Sequence, residues 1–193
     1  GKIVTGDSTK IAVSDFECEG LELLIPPVLA TLISSVKSEK CDIFVDSNNM
    51  LLLRGKGIDV SGQLMEGVEE YPNVIPIIET QQPSTCKVGT QELSKALDRI
   101  GLFVSTYDMN LISVGFSDGA IILENSTKSY ETLEVTDQHN HADKVYDINI
   151  NLLKDVIAVI DSPTIEIGYG EDDILKITTD EEVMMLATTG EEE

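Results

Sequence analysis

Between Gly89 and Ser105 the chain reads GTQELSKALDRIGLFVS, with Leu93, Ala96, Leu97, Ile100 and Phe103 recurring at helical spacing. This predicts a helix from Thr90 to about Val104 whose apolar stripe must lie on something. Thr90 suits the N-cap, and Glu92 suits the positive helix end. Lys95 and Arg99, four apart, share another face. Two further helices are expected. Pro26 and Pro27 open one, with Val28, Leu29, Leu32, Ile33 and Val36 in helical register, closing near Lys37 to Lys40. Asn149 or Asn151 caps the other, with Leu153, Val156, Ile157 and Ile160 as its stripe.

Nearly everything else reads as strand and turn. Residues 2–13 give two strand pieces around Gly6, Asp7 and Ser8. Residues 41–67 give a three-strand meander with turns at 47–49 and 55–57. The stretch from Pro76 to Thr85 is polar and bounded by prolines, and reads as a linker. Beyond it come strands at 85–88, 110–116, 120–124, 130–136 and 144–148, the second and third joined across Ser117-Asp118-Gly119. Strands at 163–169, 174–179 and 183–188 follow the last helix. The order of strand, helix and three strands occurs twice, which implies a duplicated α+β unit of roughly fifty to sixty residues. Helices on one face of curved antiparallel sheets are the expected packing.

Composition narrows the chemistry. With 35 acidic against 13 basic residues and a net charge of -22, the surface as a whole cannot serve nucleic acid or an anionic membrane, so any DNA contact must be local. Cys18, Cys41 and Cys86 are odd in number, lack C-x-x-C spacing and read as reduced structural thiols, which favours a cytoplasmic protein. No apolar run is long enough for a membrane span, and no basic, then apolar, secretion signal is present. The absence of Trp argues against recognition of single strands by stacking. Gly1 reads as a remnant of tag removal, and the abrupt start in a strand as a sign of further upstream sequence.

Four segments, in order, resemble the bacterial DNA polymerase III beta subunit, the sliding clamp. Thr5-Gly6-Asp7-Ser8-Thr9-Lys10-Ile11-Ala12 is similar to the family run ATDSYRLA. Val68, Tyr71, Val74, Ile75 and Pro76 fall in the frame F-P-x-Y-x-x-V-x-P. ELSKALDRIGLFVS resembles the long helix of the third domain. INI-NLLKDVIAVI resembles F-N-x-x-Y-L-x-D-x-L, with Asn149 and Asp155 in matching places. The usual ending M-P-M-R-L is replaced by Val183-Met184-Met185-Leu186-Ala187-Thr188-Thr189 and an acidic tail, Glu191 to Glu193.

The resemblance implies a DNA clamp fold with residues 1–76 as part of the middle domain, 77–85 as linker and 86–193 as the C-terminal domain with its tail. It implies a processivity factor without a catalytic site or cofactor, which tethers the replicative polymerase to duplex DNA independently of sequence. The full-length protein would form a homo-oligomeric ring, closed by the first domain of one chain and the third of the next. Helices line such a ring, which makes Lys37, Lys40, Lys95, Arg99 and Lys154 the candidate DNA-facing cations. Peptides of the polymerase and clamp loader dock between the second and third domains. Ser8, Lys10, Ile11, Pro76, Asn149, Leu152, Met184, Met185 and Leu186 match that lining, and methionine suits a groove that repacks around several motifs. The alternative is an acidic clamp-fold interaction protein of phage or plasmid origin that does not load on DNA.

Other chemistry is weakly signalled. His139 and His141 form an H-x-H loop near Asp137 and Asp143 but lack a third ligand at suitable spacing, so no metal site is assigned. Gly168-Tyr169-Gly170 lacks the lysine and helix of a phosphate loop and reads as a hairpin turn. Glu66, Glu69 and Glu70 read as solvated surface rather than a two-metal nuclease.

Overall fold

The computed structural model describes residues 1–17, 20–37, 40–105, 107 and 109–188. In chain order these form β1 (Lys2–Gly6), β2 (Lys10–Asp15), α1 (Pro27–Ser34), β3 (Asp42–Val45), β4 (Met50–Gly55) and β5 (Ile58–Gln63). A 3-10 turn (Val68–Glu70) leads to α2 (Ile75–Glu79), β6 (Ser84–Gly89), α3 (Thr90–Gly101), β7 (Leu111–Ser117), β8 (Ala120–Asn125) and β9 (Tyr130–Glu134). Then follow β10 (Thr136–His139), β11 (Lys144–Asn149), α4 (Ile150–Ala158), β12 (Thr164–Tyr169), β13 (Ile174–Thr178) and β14 (Glu182–Ala187). The chain divides into two compact units, Gly1–Glu17 with Ile75–Glu193, and Cys18–Val74.

The smaller unit is a β3-β4-β5 meander carrying α1. Leu29 of α1 packs with Leu51, Val60 and Leu64, and Ile33 and Val36 border this cluster. A Cβ at Gly62 would stand 2.8 Å from Leu29 Cδ1, so glycine is what lets the helix approach β5. Helix α1 starts at Pro27, as expected, but stops at Ser34 instead of reaching Lys37 to Lys40. Ser34 and Ser35 hydroxyls donate to the carbonyls of Thr31 and Leu32, giving the backbone local alternatives to another turn.

The larger unit holds a seven-stranded sheet, β1-β2-β14-β13-β12-β6-β10, and a four-stranded sheet, β11-β7-β8-β9. Within it, β6-α3-β7-β8-β9 and β11-α4-β12-β13-β14 repeat one order. Each leading strand joins the meander of the other half, β6 pairing with β12 and β11 with β7. Both halves therefore share one core, in which Leu93, Ala96, Leu97 and Ile100 of α3 meet Leu153, Val156 and Ile157 of α4 and residues of both sheets. Phe116 and Tyr169, from different sheets, stack with ring centroids 4.1 Å apart, and Tyr146 meets Phe116 edge-on.

Residues 77–85, expected as a linker, carry the end of α2 and the start of β6. The hairpin β1-β2 goes with the larger unit because β2 pairs with β14 from Ser14 opposite Glu182 to Lys10 opposite Leu186. Helix α3 ends at Gly101 rather than near Val104, and Gly89 is its N-cap. Thr90 lies one residue inside, its hydroxyl donating to the Ser162 carbonyl at 2.6 Å. The expected strand at 130–136 splits: β9 ends at Glu134, and β10 crosses to the edge of the other sheet, beside β6. At the Gly6-Asp7-Ser8 turn, Asp7 Oδ1 accepts from Thr9 N, Thr9 Oγ1 and Lys10 N, which holds its carboxyl below the usual range.

Candidate nucleic-acid and peptide interfaces

The five candidate DNA-facing cations divide between the two units. Lys37 and Lys40 are exposed residues beyond the end of α1. Lys95 and Arg99 lie on α3 and Lys154 on α4, two helices that pack together. Gly101 marks their approach, since a Cβ there would stand 2.9 Å from Lys154 Nζ.

The three cations of the larger unit differ in their surroundings. Arg99 Nε and Nη2 donate to Glu131 Oε1 and Oε2 at 2.8 and 2.7 Å, a bidentate fork. That bond raises the Arg99 pKa and holds the Glu131 carboxyl below its ordinary range. Lys154 Nζ pairs with Asp98 Oδ1 at 3.0 Å. Lys95 is exposed and, among the described residues, has no ion pair. Sequence reasoning missed Glu131 and Asp98. A signal for Glu131 existed, because it lies two residues from the buried Leu133 and so takes a helix-facing place on β9.

The nine expected peptide-pocket residues also divide. Ile11 and Met185 are register partners and share a face of the seven-stranded sheet. Lys176, the partner of Met185 on the other side, donates to the carbonyls of Ile78 and Thr80, which lays α2 with Pro76 along that face. Met185 is buried there beneath α2, whose Ile78 is buried as well. Met184 and Leu186 point the other way, into the core of α3 and α4, so the structure separates them from Met185. Lys10 and Leu152 lie on this helix side, Lys10 pairing with Asp155 of α4 at 3.7 Å and Leu152 bordering the core. Asn149 caps α4, its Oδ1 accepting from Asn151 N and its Nδ2 donating to Met109 O. Ser8 is exposed in the β1-β2 turn.

The remaining candidates take structural parts. His141 contacts Gln138 through Nδ1 and Asp143 through Nε2, both at 3.0 Å, and among the described residues no group of three His, Cys, Asp or Glu side chains is placed to hold a metal. Cys41 and Cys86 are free thiols, and burial pushes the Cys86 thiol up to about 12, whereas Cys18 lies outside the described residues, as do Thr189 and the acidic tail. An acidic cleft of about 340 Å³, lined by residues 159–163 and 179–182, shares no residue with either set. No helix among the described residues is long and apolar enough to cross a membrane.

Duplicated strand-helix-meander halves sharing one core make an α+β fold, and comparison with solved structures identifies it as the clamp fold. The chain has the fold of DNA polymerase III beta subunits. It superposes on the beta subunit from the DNA polymerase of Streptococcus pyogenes with a TM-score of 0.82 at 20% identity, covering 97% of this chain and 54% of that one. The DNA polymerase III beta chain of Streptococcus pneumoniae gives 0.83 at 20% identity, covering 98% and 53%. The beta subunit of Pseudomonas aeruginosa gives 0.82 at 14% identity, covering 97% and 54%. This chain thus spans about half the length of the structures it matches. No protein-family model and no curated protein matches the sequence.

Proposed function

We propose that this chain is part of a DNA sliding clamp, a non-catalytic processivity factor that keeps a replicative polymerase on duplex DNA. The observation that carries the reading is the fold likeness along 97% of the chain. Residues 1–76 then correspond to part of a middle clamp domain, 77–85 to the connection, and 86–193 to a C-terminal clamp domain. In support of a join between the two domains, β2 pairs with β14 in one sheet. Duplex phosphates face the cations of α3 and α4, and the contact is sequence-independent because sliding requires attraction without base readout. Polymerase and clamp-loader peptides dock on the Ile11, Pro76 and Met185 side of the seven-stranded sheet. The intact protein closes a homo-oligomeric ring in the cytoplasm.

Retention by topology gives the test. Full-length protein loaded by its clamp loader is expected to stay on circular duplex through a high-salt wash and to run off the same DNA once linearised. Equal loss from both forms would reject a clamp and favour an acidic clamp-fold protein that does not load.

A further inference from the structure

We propose that Glu131 and Asp98 compete with duplex phosphates for Arg99 and Lys154, and so set how strongly the helix face of the larger unit holds DNA. The inference rests on the reading that α3 and α4 face the duplex. Glu131 occupies a position on β9 whose face also carries the buried Leu133, where alternation calls for an apolar residue. Its side chain is only 27% exposed and receives the Arg99 fork through both oxygens. A carboxylate and a phosphate present similar oxygen pairs to a guanidinium, so Glu131 already satisfies the geometry that Arg99 offers to DNA. Asp98 occupies Lys154 from the neighbouring helix in the same way, with one contact at 3.0 Å.

Attraction to the phosphate backbone depends on cations that release counterions, each adding about 0.9 to the slope of log affinity against log salt. An ion pair presents no net charge and releases little. Among the described residues, Lys95 is left as the unpaired cation of the three. The two carboxylates keep the grip low, as sliding requires, and each is a place where the grip can be raised.

The test measures binding of the full-length protein to a labelled duplex across a salt series. Glu131→Gln is expected to steepen the slope by about one, and Asp98→Asn, which changes an exposed side chain, by a similar amount. Glu134→Gln, on the opposite face of β9, adds the same charge without touching Arg99 and is expected to leave the slope as it was. Equal steepening by Glu131→Gln and Glu134→Gln would overturn the proposal as a general charge effect, as would weaker binding by Glu131→Gln. If Lys95→Ala flattens the slope while Glu131→Gln and Asp98→Asn leave it unchanged, competition is rejected and the DNA-facing reading stands. If no variant binds in a salt-dependent way, the DNA-facing reading falls and the proposal with it.

Discussion

The half from β6 to β9 and the half from β11 to β14 run through the same order, yet β9 ends as the edge of its sheet whereas β14 lies between β13 and β2. Their residues differ accordingly. β9, YETLE, buries only Leu133 and carries Glu131 and Glu134. β14, EVMMLA, buries Met184, Met185 and Leu186 in succession, the pattern of a strand covered on both faces. An edge strand exposes unpaired backbone groups, and charge protects it from pairing with other chains. The recruitment of Glu131 by Arg99 thus follows from an acidic edge lying beside the helix that carries Arg99. Two halves with one plan therefore end differently, in an ionic edge at β9 and a buried apolar strand at β14.

The largest expected effect tests the core that both halves share. Leu97→Ala, at a position with no exposure, should cost about 2–5 kcal/mol in chemical denaturation. The same change at Leu102, 78% exposed just past the end of α3, should stay within about 0.5 kcal/mol. Comparable losses at the two sites would mean that α3 does not seat through the stripe described.

A smaller effect separates the two faces of β14. If Met185 lines the peptide groove, Met185→Ala should weaken a polymerase C-terminal peptide about tenfold, or ~1.4 kcal/mol. Met184→Ala, equally buried but facing the helices, should lower stability and leave peptide affinity unchanged. Equal affinity for wild type and Met185→Ala would reject the groove.

The smallest effect lies at the helix starts. Helix α4 has a side-chain cap from Asn149, whereas the Gly89 N-cap of α3 has none. Asn149→Ala should cost about 1 kcal/mol by thermal melting, and Gly89→Asn, at an ordinary φ of -67°, should add a few tenths of a kcal/mol. A neutral Asn149→Ala would show that packing alone positions α4.

Much of the architecture was legible because local rules and the final fold agree. The 93, 96, 97, 100 stripe found its core, and the Ser117-Asp118-Gly119 hairpin formed with Gly119 at φ 76°. The motifs also pointed to the beta-subunit fold that the solved structures share. The helix ends were less legible. Serine hydroxyls shorten α1, and a tertiary bond to Ser162 takes the Thr90 side chain away from capping. Nor could the candidate sites be resolved by motif alone. Adjacent residues of a strand face opposite ways, so Met185 lies on one face of the sheet and Met184 and Leu186 on the other.

By itself the sequence determined most of the helices and strands, though not α2 or the break between β9 and β10, together with most turns and the duplicated plan, because spacing, caps and turn residues act over a few positions. Only the tertiary structure decided that each leading strand joins the other half's meander, that β1-β2 extends the seven-stranded sheet, and that Arg99 and Lys154 are occupied by Glu131 and Asp98. These are contacts between residues far apart in the chain. Local periodicity says which face of an element is buried, but the partner on that face depends on the packing of the whole unit.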